Sequence, residues 1–185
     1  MEDRPLQIVH GIPAQRATPE GMRYYADLGL GGVVCNVDFR EYLTSDEHWK
    51  TLVAGVESCA ALGMVVWLYD EEGYPSGSAG GLVLQDNPAY EALELALDRK
   101  GPDPLLVRPA YEHTHASNNF HAARRYANLI DDRAVRCFVE KTHEAYWQRL
   151  QPHFGKTIRA AFTACFPAPT GSGSSSAGAA PGVTG

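Results

Sequence analysis

The run Tyr69-Asp70-Glu71-Glu72 contains the residue types in this sequence that most directly suggest chemistry. Adjacent carboxylates that cannot all ionise freely have their pKa values pushed apart, and general acid–base catalysis uses such differences. The Gly- and Ser-rich segment that follows, 73–81, would let the backbone pass close to a ligand, and Tyr74 could stack on the face of a sugar. The alternative is an ordinary solvated acidic turn, and spacing alone leaves both interpretations open.

Two further groups of polar residues follow apolar stretches in the same way. They are His10 after the first stretch, and Asn36, Asp38 and Arg40 after the second. Because functional groups in parallel α/β proteins sit on loops at the carboxyl ends of the strands, all three groups are candidates for one site, in which we expect His10, Asp38 and Arg40 to bind substrate. Asp38 and Arg40 could instead form an ion pair with each other across their loop.

The elements that would position these groups alternate along the chain. Apolar runs at 6–9, 32–37 and 64–69 predict buried strands, and helical spacing predicts helices beginning at Thr18-Pro19 and Ser45-Asp46. This alternation of three strands with two helices, joined by short connections, indicates right-handed βαβ units and a parallel sheet.

The second half of the sequence has weaker patterns. We predict a helix from Asn87-Pro88 to about Leu97, a fourth strand at 105–107, a helix from Asp131 to about Leu150 and a strand at 157–162. The fold class is therefore α/β, with about five strands that could belong to one parallel sheet.

Composition and charge exclude several classes of function. The formal net charge is −6, whereas a nucleic-acid surface needs clustered Lys and Arg, so we expect no nucleic-acid partner. No apolar run approaches the roughly 20 residues of a membrane-spanning helix, and no signal peptide is recognisable, so we expect a cytoplasmic chain without a membrane partner. The four cysteines form no C-x-x-C pair, and those in apolar stretches should behave as small hydrophobes.

We expect neither a metal nor a cofactor. His113, His115 and His121 could ligate a metal, but they lie in a loop with no acidic ligand at close spacing, and loop hydrogen bonding is the alternative. The glycines at 29–32 precede a strand rather than follow one, which is the wrong context for a dinucleotide-binding loop.

The segment Trp67 to Gly81 resembles the pattern W-x-Y-D-E-x-x-[WY]-P-S-G-x-A-G-G of α-L-rhamnosidase-like glycoside hydrolases (family one hundred and six and its uncharacterised bacterial relatives). Matches also occur at 31–33, 42–49, 83–90 and 128–158, so the resemblance extends from about Gly11 to Thr163. It implies a (β/α)₈ barrel that acts on polysaccharide. Glu71 is then the catalytic or sugar-contacting carboxylate, and Asp70, Tyr74 and His10 are substrate-binding residues.

The sequence departs from that family after Thr163. The family's strand continues F-T-D-E-P, whereas here Phe162-Thr163 is followed by Ala-Cys-Phe and then by uncharged residues. A glycosidase needs two carboxylates, about 5–5.5 Å apart for retention or about 6.5–9.5 Å apart for inversion, and the second acidic group is missing. We therefore expect a partial TIM-barrel domain over 1–166, and a disordered Gly/Ser/Ala/Pro tail over 167–185.

Two explanations of this ending compete. A frameshifted or truncated reading frame would produce the change within the motif, and a short protein that has lost half a barrel would also do so. The downstream DNA would decide between them. Full-length relatives could be secreted.

Three functional hypotheses follow. The first is an inactive or truncated glycosidase fragment with carbohydrate as its partner, whose open barrel edge could self-associate. The second is a non-catalytic carbohydrate-binding or interaction protein. The third, a metal-dependent hydrolase that uses the three histidines, predicts bound metal in the purified protein.

Overall fold

The structure, a computed structural model, describes residues 4–72, 76–97, 101, 104–110 and 125–163. The strands and helices in chain order are β1 (Leu6–His10), α1 (Pro19–Asp27), β2 (Gly32–Asn36), α2 (Asp46–Ala61), β3 (Val65–Tyr69), α3 (Leu82–Asp86), β4 (Leu93–Leu97), β5 (Leu105–Pro109), α4 (Asp132–Lys141), α5 (His143–Leu150) and β6 (Ile158–Phe162). The chain is therefore a mixed α/β protein.

The main sheet has four parallel strands in the order β1-β2-β3-β6. The strand register brings the residues that end β1 and β2 side by side, with His10 opposite Asn36, and Tyr69 at the end of β3 opposite Phe162 of β6. Gly32 is required where β2 meets β3, because a Cβ there would lie 1.8 Å from the carbonyl oxygen of Val65. The predicted alternation of strands and helices is confirmed, and closure into a barrel is not seen in the described part of the chain.

The principal core lies between one face of this sheet and the helices α1, α2 and α5. Its largest fully buried members are Met22, Leu52, Met64, Val33, Val37, Val56, Val66, Tyr146 and Leu150. The helix starts follow the predicted chemistry, since Thr18 and Ser45 accept hydrogen bonds from the first-turn amides of α1 and α2. Cys35 and Cys59 are buried as free thiols, as expected of small hydrophobes.

The predicted helix at 87–97 is wrong. Asn87 does cap a helical turn, but it is a short 3₁₀ turn at Pro88–Tyr90, and the chain then forms β4. Leucines at every second position from Leu93 to Leu97 give the period of a strand, and this pattern outweighed the Asn-Pro helix start.

The predicted fourth strand is present as β5, but it does not belong to the parallel sheet. It pairs antiparallel with β4 in a separate two-stranded sheet. The expectation of about five strands in one parallel sheet is therefore corrected to four. The single helix predicted at 131–150 is divided into α4 and α5 at Thr142, while its predicted start is confirmed by the Asp131 cap.

Candidate functional site

Hydrogen bonds join the carboxyl ends of the first three strands. The backbone N–H of Gly11, just after β1, donates to Asn36 Oδ1 over 3.2 Å, and Asn36 Nδ2 donates to the carbonyl oxygen of Glu71 over 2.9 Å. Asn36 is fully buried, so its amide has no competing water. The rule that parallel strands gather functional groups at their carboxyl ends thus applies to these residues.

The Glu71 carboxylate is buried and is held by two hydroxyl groups. Tyr69 donates its phenolic hydroxyl to Oε1, and Ser76 Oγ lies 3.2 Å from Oε2. Burial raises the pKa of Glu71; the two hydroxyl groups oppose this shift because they stabilise the ionised form, and the neighbouring Asp70 and His10 act in opposite directions. This carboxylate is therefore fixed in position while its pKa stays above that of an exposed glutamate.

Asp70 is buried beside Glu71 and contacts three side chains, two of them from distant parts of the sequence. Ser76 Oγ donates to its Oδ1 over 2.6 Å, Thr163 Oγ1 donates to its Oδ2 over 2.7 Å, and His143 Nε2 lies 3.1 Å from the same Oδ2. His143 begins α5 and Thr163 directly follows β6, so Asp70 ties these two elements to the end of β3. His143 and Thr163 are not predictable from the sequence, because contacts over 73 and 93 residues leave no local pattern.

Glu72 is buried without a hydrogen-bond partner among the described residues. Its side chain is 4% exposed, and neither carboxylate oxygen accepts a hydrogen bond from them. Its Oε2 lies 3.4 Å from the position that a Cβ on Gly80 would occupy, and the ring of Tyr42 reaches the same position. Burial raises the pKa of Glu72 to about 7, so the side chain keeps its proton over much of the acidic range. The sequence analysis included Glu72 in the acidic run without assigning it a role.

Aromatic rings lie on the sheet face opposite the helices, next to these carboxylates. Tyr69 stacks on Phe162 with ring centroids 5.1 Å apart, and His10 meets the edge of Tyr69 at 4.9 Å. His10 also lies 4.9 Å from Phe39. The predicted site residues His10, Asp70 and Glu71 are thus brought together at one end of the sheet.

Asp38 and Arg40 form an ion pair with each other. The Arg40 guanidinium donates to both carboxylate oxygens of Asp38, at 3.1 and 3.2 Å, and lowers the pKa of Asp38. The ion pair that the sequence analysis held as an alternative is therefore present. Both residues line a cleft of about 140 Å³ that also includes Asn36 but not Glu71.

Several predicted residues lie outside the described part of the chain. Tyr74 is one of them, as are the three histidines of the metal hypothesis and the segment 167–185. Among the residues that the structure describes, no group of three or more His, Cys, Asp or Glu side chains could hold a metal ion. None of the described helices combines the length and the apolar character needed to cross a bilayer.

No protein-family model, no curated protein and no solved structure matches this chain. The resemblance to rhamnosidase-like enzymes therefore stays a prediction that rests on the motif.

Proposed function

We propose that this chain is a glycoside hydrolase-like protein whose partner is carbohydrate and whose fold is part of a (β/α)₈ barrel. The observation that carries the proposal is the burial of Asp70 and Glu71, which are 1% and 2% exposed, at the carboxyl end of a parallel strand. A solvated acidic turn would leave such side chains in water. Burying carboxylates is costly, and a carboxylate whose pKa is raised in this location, as that of Glu71 is, is typical of functional sites.

The placement of the helices supports a barrel rather than a doubly wound sheet. In doubly wound proteins helices cover both faces of the parallel sheet, whereas barrel strands carry helices outside and pack side chains inside. Here α1, α2 and α5 share one core on one face. The opposite face carries Ile8, Trp67 and Phe162, which are 47%, 38% and 37% exposed. In a barrel this face would be the interior.

Glu71 is the carboxylate proposed to contact the sugar. Its two hydroxyl partners fix its position, and its raised pKa suits proton transfer closer to neutral pH than that of an exposed glutamate. Asp70 and His10 lie beside it as proposed substrate-binding residues, and Phe162, which is 37% exposed, offers a ring against which a sugar could pack.

A non-catalytic carbohydrate-binding protein is the second candidate. The acidic side chains gathered in the described part of this site all come from the end of β3, and Thr163 follows the neighbouring strand β6. Hydrolysis with two carboxylates requires them on opposite sides of the scissile bond, which adjacent residues of one strand end do not provide by themselves.

Hydrolysis of aryl α-L-rhamnosides, together with calorimetric titration with L-rhamnose, tests both candidates. Turnover that Glu71→Gln lowers by at least a hundredfold would support the enzyme. Saturable binding without turnover, weakened by the same substitution, would support the binding protein. Glu57→Gln, an exposed position on α2, is the matched control and should change neither property. If the wild-type chain neither binds nor cleaves rhamnosides, the rhamnoside assignment is wrong.

A further inference from the structure

Both edge strands of the parallel sheet are unpaired on their outer sides within the described residues. In the order β1-β2-β3-β6, the edge strand β1 pairs only with β2 and the edge strand β6 only with β3. Each strand is five residues long and contains no proline. Free strand edges of this kind are templates for pairing with another chain unless they are covered.

The sheet face between these edges is apolar and is not covered by the helices. Ile8 of β1, Val34 of β2 and Trp67 of β3 lie opposite one another in the register, and Ala160 of β6 continues the row. Two of these side chains, Ile8 and Trp67, are among the exposed large hydrophobic residues. Beside β6 a cavity of about 620 Å³ is lined by Trp147, Phe154 and Ala161 among others, so the sheet is also unfinished on the helix side at this edge.

Four parallel strands are half of the number that closes a parallel barrel. We propose that two copies of this chain associate through β1 and β6, each β6 pairing in parallel with the partner subunit's β1, to close an eight-stranded barrel. A two-fold axis along the barrel generates both junctions at once, so no edge is left. The apolar face of each sheet becomes the shared interior.

The closed dimer is favoured over open-ended association because it buries more surface for each copy. Stable interfaces bury roughly 800 Å² per partner, and a single junction of two five-residue strands is small by that standard. The closed dimer forms two such junctions and also buries the interior side chains of both copies. In an open-ended assembly, each pair of neighbouring copies would form only one junction, and the apolar sheet face would stay exposed to solvent.

The closed dimer would also supply a second carboxylate opposite Glu71, which the described residues of one chain do not provide. In the strand order of the barrel, three strands lie between β3 and its copy in either direction, so the two stand on opposite sides of the mouth. Glu71 would then face the partner subunit's Glu71, as a bond-cleaving pair requires. The assembly rests on the proposed barrel fold, and this second step rests on the proposed carbohydrate function as well.

The mass of the chain in solution tests the assembly. We expect sedimentation equilibrium to give twice the chain mass of 20.1 kDa. Ile8→Lys should raise the dissociation constant of the dimer at least tenfold, because a charge would enter the closed interior. The folded monomer should keep its circular dichroism, since Ile8 is already half exposed there.

The matched control uses the second apolar surface of the chain, one face of the β4–β5 hairpin. Its exposed side chains are Leu93, Leu95, Leu97, Leu105 and Val107. Leu95→Lys introduces the same charge at a residue that is 67% exposed, and it should leave the dimer intact. Dissociation by Leu95→Lys but not by Ile8→Lys would assign the contact to the hairpin and overturn the proposal.

A mixing experiment tests the pairing itself. Ala161→Lys places a charge at an exposed position on β6 and should also give monomers. A mixture of Ala161→Lys chains and Ile8→Lys chains should form a mixed dimer that is weaker than the wild-type dimer. In this mixed dimer one junction joins the unaltered β6 of the Ile8→Lys chain to the unaltered β1 of the Ala161→Lys chain. An Ile8→Lys variant that stays dimeric would indicate pairing of β6 with β6 instead. A wild-type monomer at 100 µM, or assemblies larger than two copies, would also overturn the proposal.

The binding experiment separates this inference from the proposed function. A dimer that binds no rhamnoside would leave the assembly standing and remove the rhamnoside site. Undiminished binding or turnover by monomeric Ile8→Lys would show that the partner subunit contributes nothing to the site, and would overturn the second step.

Discussion

Glu72 provides the sharpest test of the electrostatics around the candidate site, through the variant Glu72→Gln. Burial raises the pKa of Glu72 from 4.5 to about 7, so the folded state holds a proton that the unfolded state loses at lower pH. Below pH 4.5 both states are protonated and ionisation contributes no penalty. As the pH rises from 4.5 to 7, the free energy of unfolding of the wild-type chain falls relative to that of a chain without this group. Above pH 7 Glu72 is ionised in both states, and this free energy falls no further.

The loss corresponds to about 3 kcal/mol, because each unit of pKa difference is worth about 1.4 kcal/mol. Glu72→Gln removes the ionisation and keeps the size of the side chain. Its stability relative to the wild type should therefore rise by about 3 kcal/mol between pH 4.5 and pH 8. Any cost of burying the amide is the same at both values and cancels in the comparison.

Urea denaturation at a fixed chain concentration measures the free energy of unfolding of both chains at the two pH values. Glu57→Gln, exposed on α2, controls for the general effect of removing a carboxylate, and its change with pH should stay within about 0.5 kcal/mol. A pH-independent difference between Glu72→Gln and the wild type would refute the reasoning. It would mean that Glu72 ionises in the folded chain as easily as in the unfolded one.

Two further substitutions test the positioning of the strands. Gly32→Ala should destabilise the fold by more than about 3 kcal/mol, because its Cβ would meet the Val65 carbonyl oxygen where the two inner strands begin. Gly29→Ala, with a positive φ but open space, should cost only about 1 kcal/mol. Similar urea midpoints for the two variants would contradict this. Tyr146→Phe should lower the free energy of unfolding by about 1–3 kcal/mol, because the Tyr146 hydroxyl accepts a hydrogen bond from the buried N–H of Val37 over 3.0 Å. An unchanged urea midpoint would argue that this amide finds another acceptor.

Local chemistry made the first half of the fold predictable from sequence. Thr18-Pro19 and Ser45-Asp46 specify where two helices begin, and continuous apolar runs between them specify buried parallel strands. The same reasoning failed at 87–97, where a short-range helix start competed with alternating leucines. Alternation was the better guide, because the whole strand depends on it, whereas a cap governs a single turn.

The candidate site was predictable in its location but not in its bonding. The strand-end rule brings His10 and Glu71 to one end of the sheet without knowledge of any contact. It cannot tell that Tyr69 and Ser76 hold the Glu71 carboxylate, or that Arg40 uses its guanidinium on Asp38. Each of these side chains has several potential hydrogen-bond partners nearby. Which partner it binds depends on side-chain geometry, and residue types alone do not determine that geometry.

The environments of the acidic side chains bear on what the site could do. Neighbouring carboxyl groups of the acidic run differ in their hydrogen-bond partners: Asp70 accepts hydrogen bonds from Ser76 and Thr163, whereas no described residue donates to Glu72. Burial without a donor raises the pKa of Glu72 to about 7. One strand end thus carries a carboxyl group bound by two hydroxyl groups and another that keeps its proton at mildly acidic pH. Such a pair still approaches a substrate from one side only, so hydrolysis by this chain would require an acid on the opposite wall.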